Sequence, residues 1–571
     1  MKKIYIFSSL IVLFCLASCS DYLDRDKLTD TTLTYDDIFK SPHGAAGFLN
    51  NAYNTIPDGF NQVGSALFAS ASDEAVHSES SSLIHLFTSN SISTSNNPDD
   101  VWTAMYEGIR KCNIFLKELD PDSGLIVKYN SIDEEDRDNY RGQALFLRAY
   151  FHFELLKRYQ NIFYVRKVLD PNNEDEVFGI KQCDFQEATD SIVQDCDSAI
   201  LYLPTEITED ENLGRPSKAA PMALKSRVLL YAASPLNNPS GDVTLWQKAE
   251  DAAAELYDQR SALGLGLMSK SDYASIFTTP YNKEVIFATK AYSRNDIESN
   301  NFPISFQGKG YTNPTQNLVD AYAMSGTSYG DPMKNYDPEH PYTGREMRFA
   351  ATILYNGASF KDATLYTYEG ATDGLYATST ATKTGYYMKK FISPDISLQK
   401  GETATKSWVI FRFAEIILNY AEARNEVLDD PKDKTLHDLL NLIRNRAGLR
   451  PFRNTSEYIT DKDEMREYIK KERQVELALE GHRYWDLRRW KDLDILENSA
   501  MGMKIEQVDS LDTNGNLVYD TEGNPVYKYT YTSFTAEERQ FDPKLYWYPI
   551  PRTEILKYKS VGIDITQNPG W

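Results

Sequence analysis

The stretch YRGQALFLRAYFHFELLKRY, residues 140–159, is nearly continuous in apolar and aromatic side chains. A run of this length with helical spacing predicts a helix that is covered on most of its faces. A helix of that kind needs other helices around it, and the sequence supplies them. HGAAGFLNNAYNTI (43–56) places Phe48, Ala52 and Ile56 on one face. DDVWTAMYEGIRKCNIFLKEL (99–119) begins with acids and then spaces Val101, Met105, Ile109, Cys112 and Leu116 by three and four residues. Further helices are expected over 184–204, 217–234 with Pro221 in its first turns, 246–259, 411–427, 434–449 and 463–493.

These segments read as antiparallel helix pairs with small residues at the crossings. They are similar to divergent tetratricopeptide pairs, although no strict 34-residue period survives. Between about 260 and 405 the texture changes to Gly, Ser, Thr, Asn and Tyr, which predicts long loops and short strands. Loops of that length in a compact protein usually have a function. DTNGNLVYDTEGNPVYKYTYT (512–532) repeats a turn-plus-strand unit and reads as a hairpin.

At the amino terminus, two lysines precede about a dozen mostly apolar residues, too few for the ~20 that span a bilayer. Residues 1–18 therefore read as a signal peptide. Leu16-Ala17-Ser18-Cys19 has the form of a bacterial lipobox, which makes Cys19 the lipid attachment site. Two or more acyl chains anchor a protein stably, at ~0.8 kcal/mol per buried methylene. The 571 residues carry a net charge of −22, which argues against nucleic acid or an anionic lipid surface as the main partner. After Cys19, Cys112, Cys183 and Cys196 remain. They do not make a disulfide framework or a zinc pattern. A Cys183–Cys196 bridge is one reading, and small buried side chains on helices the plainer one. No metal or cofactor is expected. The 38 tyrosines, 26 phenylalanines and 7 tryptophans suit ring stacking on sugars as well as a core.

The helical blocks occur in a recognisable order. FLRAYFHFELLKRY and GRPSKAAPMALKSRVLLYAAS come first, followed by NKEVIF, TGYYMKKF, FRFAEIILNYAEA, NLIRNRAGL, KERQVELALEGHRYWDLRRW, YWYPIPRTEI and the terminal QNPGW. With the lipobox, they resemble the SusD/RagB family of outer-membrane nutrient-binding lipoproteins across essentially the whole mature chain. The resemblance implies a mainly α, SusD-like fold with divergent tetratricopeptide helix pairs, a loop-rich ligand-binding region and few short strands. It divides the chain into a signal peptide (1–18), an anchored segment (19–40), a helical region (41–260), a loop-rich ligand-binding region (261–404), a second helical region (405–500) and a hairpin with a C-terminal strap (501–571).

The resemblance also implies a function: a cell-surface lipoprotein of a Gram-negative outer membrane that captures oligosaccharides. It would pass them, without chemistry, to a SusC-like TonB-dependent transporter. A peptide-binding member of the family is the nearest alternative, and a ligand-free brace for the transporter is another. The acids after Cys19, Ser20–Asp26, resemble the surface-export signal of such lipoproteins.

A surface glycoside hydrolase is the enzymatic alternative. Glu472, Glu476 and Glu480 are spaced to share one helix face, with His482 and Asp486 nearby. Glycosidases use two carboxylates about 5–9 Å apart. The structural reading pairs these acids with Arg473, Arg483, Arg488 and Arg489, so no catalytic residue is assigned. DTNGN and DTEGN (512–516 and 520–524) lack the ligand order of a calcium loop, because Gly515 arrives early and Glu522 sits too near. YWYPIP and QNPGW read as a strap closing the fold. Candidate ligand-binding rings come from the family's ligand regions: His85 and Phe87 from the loop over 73–100, Tyr292, Phe302, Phe306 and Tyr311 from the next, and Tyr366, Tyr368 and Tyr376 from a third. The first loop has no tryptophan, which weighs against a starch-like helical ligand.

Overall fold

A computed structural model describes residues 34–571. The lipobox, Cys19, the signal peptide and the first part of the anchored segment lie outside the described residues. The fold is mainly α, with few short strands. The large helices are α1 (Pro42–Tyr53), α2 (Trp102–Glu118), α3 (Glu134–Tyr159), α4 (Phe185–Tyr202), α5 (Ala219–Ala233) and α6 (Val243–Gln259). After the loop-rich stretch come α7 (Phe413–Val427), α8 (Lys434–Ala447), α9 (Lys462–Glu476) and α10 (Arg483–Trp490).

From α2 to α7 each helix packs on the next in chain order, and α7 also packs on α8 and α9. The central helix α3 is buried along most of its second half, as its apolar run requires. Gly108 makes the α2–α3 crossing possible, since a Cβ there would lie 2.8 Å from the Phe151 ring. The buried charged side chains of α3 are partnered, as burial demands. Arg148 makes a bidentate pair with Asp195 at 2.8 Å on both arms. Arg158 binds Asp99 at 2.8 and 3.0 Å and Glu154 at 2.6 Å. His152 Nδ1 donates to the Arg148 carbonyl and its Nε2 accepts from Val165 N, an arrangement that needs the neutral ring. Burial holds its pKa down at about 3.

One large core follows the helices. A second, smaller core gathers Tyr273, Tyr322, Phe349, Tyr386 and Leu479 under the loop-rich region, and half-buried Trp408 packs against both. The strands that matter below are β1 (Ala75–His77), β2 (Val285–Ala288), β3 (Tyr292–Arg294), β4 (Thr312–Pro314), β5 (Ala404–Lys406), β6 (Val409–Arg412), β7 (Ala500–Asp509) and β8 (Tyr527–Glu537). They pair two by two, antiparallel: β1 with β4, β2 with β6, β3 with β5 and β7 with β8.

Three sequence expectations need correction. The segment 463–493 is not one helix. It breaks after Glu476, where Leu479 (φ 65°) and Gly481 (φ 79°) take left-handed backbone, and restarts at Arg483. Leu479 tolerates that conformation because its N–H donates to buried Glu74 Oε2 at 3.1 Å. The long hairpin strands flank residues 510–526, so the two turn units form the tip and the end of the 512–532 repeat is already the start of β8. Asp512 and Asp520 each accept backbone N–H bonds from the residues two and four ahead, so these aspartates close turns. Cys112, Cys183 and Cys196 are all free thiols; Cys112 and Cys196 are buried on helices, but Cys183 is half-buried on a two-residue strand. Among the described residues, no helix is long and apolar enough to cross a membrane.

The C-terminus closes the large core. Asn568 Nδ2 donates to the carbonyls of Tyr159 (2.8 Å) and Tyr548 (2.6 Å), and Trp571 Nε1 donates to Trp547 O (2.9 Å). Asn568→Ala removes both bonds; the Tyr159 carbonyl keeps Asn161 N at 2.6 Å, but the Tyr548 carbonyl loses its side-chain donor in the core. An expected loss of about 1–3 kcal/mol should appear in urea unfolding. An unchanged midpoint would show that the strap merely lies on the surface.

Candidate functional site

The site is held from below by a buried ion lattice centred on α9 and the turn after it. Glu476 binds Arg412 (2.7 Å), Arg446 (2.5 Å) and Arg348 (3.1 Å). Glu472 binds Arg348 at 2.6 Å. Glu480 binds Arg412 at 2.6 Å and Lys390 at 2.7 Å. Glu284 bridges Arg412 and Arg446, and Glu346 bonds Arg348 on the far side. The acids are therefore ion-paired, but to Arg348, Arg412, Arg446 and Lys390. Asp486 does pair with Arg473 and Arg489, as the sequence reading has it; both arginines also meet Glu422, while Arg483 turns to Asp73 and Arg488 to the Tyr546 carbonyl. Glu480 lies in the turn beyond α9, not on the helix face with Glu472 and Glu476. Burial would raise the Glu476 pKa, but the guanidiniums hold it far below the ordinary carboxylate range.

The lattice fixes β1. Arg483 clamps Asp73 at 2.8 Å on both oxygens, Leu479 N holds Glu74, and Arg539 donates to the carbonyls of Ser72 and Ala75. With β1 in place, His77 pairs opposite Thr312 of β4, and Ser78 N donates to the Tyr311 carbonyl at 2.8 Å. The His77 ring lies 4.8 Å from Tyr311 and 6.3 Å from His85. Burial, with His85 nearby, holds the His77 pKa down at about 4, so its ring is neutral, and its Nδ1 has no partner. His85 behaves oppositely. Its hydrogen bond to Glu537 (3.2 Å) raises its pKa against the effect of burial, while its Nε2 meets the Glu79 carbonyl at 3.0 Å.

The third loop joins the same face. Lys383 N donates to Asn313 Oδ1 at 2.9 Å, and Lys383 Nζ lies 4.8 Å over the ring of Tyr376, which is 54% exposed. Lys309 Nζ lies 5.2 Å over Tyr311. The hairpin base packs beside this face through Met503 N, which donates to the Thr384 carbonyl at 2.8 Å. The result is a shallow surface of tyrosine, histidine and lysine, able to stack a ring and donate hydrogen bonds.

His85 and Tyr311 both neighbour His77, with Tyr311 largely covered, and Tyr376 is linked to them through Lys383, whose backbone binds Asn313. Tyr366 and Tyr368 form a neighbouring strip with Tyr529 of β8, with ring separations of 5.8 and 5.6 Å. Phe306 is half-buried against Phe360. Tyr292 lies elsewhere, at a cavity beside α1. Phe87 and Phe302 are core side chains, at 2% and 0% exposure, and offer no face to a sugar. Phe87 packs on Phe68, Tyr484 and Tyr548, and Phe302 on Phe360. Sequence reasoning missed His77, Lys309 and Lys383; the apolar Ala75-Val76 pair ending at a histidine before a serine-rich loop was the available signal for the first. Among the described residues, no group of three or more His, Cys, Asp or Glu is arranged to hold a metal ion.

Stacked helix pairs, tied by a buried ion lattice and overlain by a loop-built aromatic face, define a helical scaffold protein. The chain belongs to the SusD family, whose model matches residues 275–571. A second model, described as starch-binding associating with outer membrane, matches residues 21–230. The chain is 24% identical over 404 residues to SusD-like protein P2 of Formosa agariphila, covering 68% of this chain and 72% of that one. A SusD-like protein from Bacteroides fragilis superposes with a TM-score of 0.73 at 26% identity, covering 94% of this chain and 99% of that one. A laminarin-binding SusD-like protein superposes with a TM-score of 0.62 at 21% identity, covering 92% and 99%.

Proposed function

We propose that this chain is a cell-surface glycan-binding lipoprotein of a Gram-negative outer membrane. It is anchored through Cys19, and it captures an oligosaccharide at the face around Tyr376 and passes it to a SusC-like TonB-dependent transporter. The observation that carries the reading is the convergence of three separate loops on one shallow surface bearing Tyr376, His85, Lys309 and Lys383. An exposed tyrosine beside polar donors matches the amphipathic faces of a pyranose. The match to the model described as starch-binding and the laminarin-binding structural relative support a glycan over a peptide. Capture without hydrolysis accords with the burial and pairing of Glu472, Glu476 and Glu480.

The test is calorimetry of the chain from Ser20 onward against oligosaccharides and peptides, with reducing-end release assayed in parallel. Saturable heat without product is expected for at least one glycan. Tyr376→Ala should weaken that binding about tenfold, or ~1.4 kcal/mol, without changing the thermal midpoint. Product release, or binding only to peptides, would overturn the reading.

A further inference from the structure

A sizeable cavity lies away from that face. It has a volume of about 490 Å³ and opens between the exposed side of α1 and the turn that joins β2 to β3. Its polar groups are unevenly matched. Arg215 lies 5.8 Å from the ring centres of both Tyr53 and Tyr140, and donates to Gln143 Oε1 (2.8 Å) and Asn50 Oδ1 (3.1 Å). Those bonds fix the guanidinium but use only part of its five N–H donors. No carboxylate lies within ion-pair distance of Arg215 or Lys290 among the described residues. Asn50 and Asn51 spend their side-chain oxygens on Arg215 and Lys111, which leaves their NH2 groups as the available donors. Of the two acids lining the cavity, Asp58 is paired with Arg294 at 2.9 Å, leaving Glu211. Tyr292, 52% exposed, has the Arg294 guanidinium 4.8 Å away as its cationic neighbour, and its ring borders the cavity.

A cavity rich in donors calls for an acceptor-rich ligand, and an exposed ring at its rim calls for one with an apolar face. In a chain of net charge −22, two cations without carboxylate partners at one cavity mark a place where an anion is the complementary charge. A uronic acid unit has all three properties: a carboxylate for Arg215 and Lys290, hydroxyls for the asparagine amides, and a C–H face for Tyr292. We propose that this cavity is a second saccharide site, separate from the Tyr376 face, that takes a uronic acid residue of a glycan.

The site is tested by calorimetry with oligogalacturonate and oligoglucuronate, and with the same oligomers after reduction of their carboxylates to alcohols. The proteins are the full chain from Ser20, a Tyr376→Ala variant, and a Lys290→Ala/Tyr292→Ala variant, which leaves the structural bonds of Arg215 intact. At least one uronate oligomer should bind the parent chain and Tyr376→Ala alike. The Lys290→Ala/Tyr292→Ala change, and reduction of the carboxylates, should each weaken binding about tenfold or more, and raised salt should weaken it too. Uronate binding that is lost with Tyr376→Ala, that survives Lys290→Ala/Tyr292→Ala, that is indifferent to reduction, or that is missing for both oligomers would overturn the proposal. Neutral glycan binding by Lys290→Ala/Tyr292→Ala is scored separately, so failure here is distinguishable from failure of the Tyr376 face.

Discussion

Replacing Glu476 with alanine is expected to cost about 3–5 kcal/mol, because it leaves Arg412, Arg446 and Arg348 buried around a missing charge. Against a usual folding margin of about 5–15 kcal/mol, that is enough to leave much of the chain unfolded at 37 °C. Glu476→Gln should recover little, since a neutral amide keeps the shape and still leaves the guanidiniums uncompensated. Urea unfolding of the purified chain measures the effect, and a loss below about 1 kcal/mol would mean that water enters the lattice and solvates it. The same carboxylate makes the fold sensitive to strong acid. A pKa held far below the ordinary range means that its stabilisation is complete above that range and is lost only as pH falls below it.

Glu74 should produce the opposite dependence. Its carboxyl is buried, its Oε1 has no partner, and burial together with neighbouring Asp73 pushes its pKa from 4.5 up to about 8, against the pull of Arg483. Between those two values the native chain holds a proton that the unfolded chain has released. Stability contributed by this group therefore falls as pH rises from about 4.5 to about 8, by at most ~1.4 kcal/mol per pH unit. Glu74→Gln keeps the acceptor for Leu479 N and removes the titration. The variant should gain on the parent as pH rises from 5 to 8, read from urea midpoints at unit intervals. Parallel curves for the two proteins would show that Glu74 is ionised throughout.

The helices were legible because their signals are local. Met105, Ile109 and Cys112 recur at helical spacing and are buried, and the apolar run of α3 is covered as its composition requires. The break after Glu476 was not legible: Leu477-Ala478-Leu479-Glu480 continues a helical pattern, and only Gly481 interrupts it. What ends the helix is a bond to Glu74, far away in sequence. The pairing of the lattice acids went astray for the same reason. The arginines close to them in sequence face other carboxylates, and their true partners come from β6, α8 and the loop-rich region. At the site, an aromatic in a polar loop looks the same whether it faces water or the core. Tyr376 and Phe302 occupy loops of like composition, and only the packing of Phe360 against Phe302 separates them.

The lattice and the β1 clamp also set an order of events for the growing polypeptide. Asp73 and Arg483 are 410 positions apart, and Tyr159 meets Asn568 across 409. Contacts of such separation are slow to form, because the intervening chain must be gathered first. A chain made from its amino terminus carries Asp73, Glu74 and Glu284 without their cationic or backbone partners until the segment 412–483 has been synthesised. For most of its synthesis it therefore lacks the bonds that tie its first third to its last, although the ion pairs within residues 99–195 need no later segment.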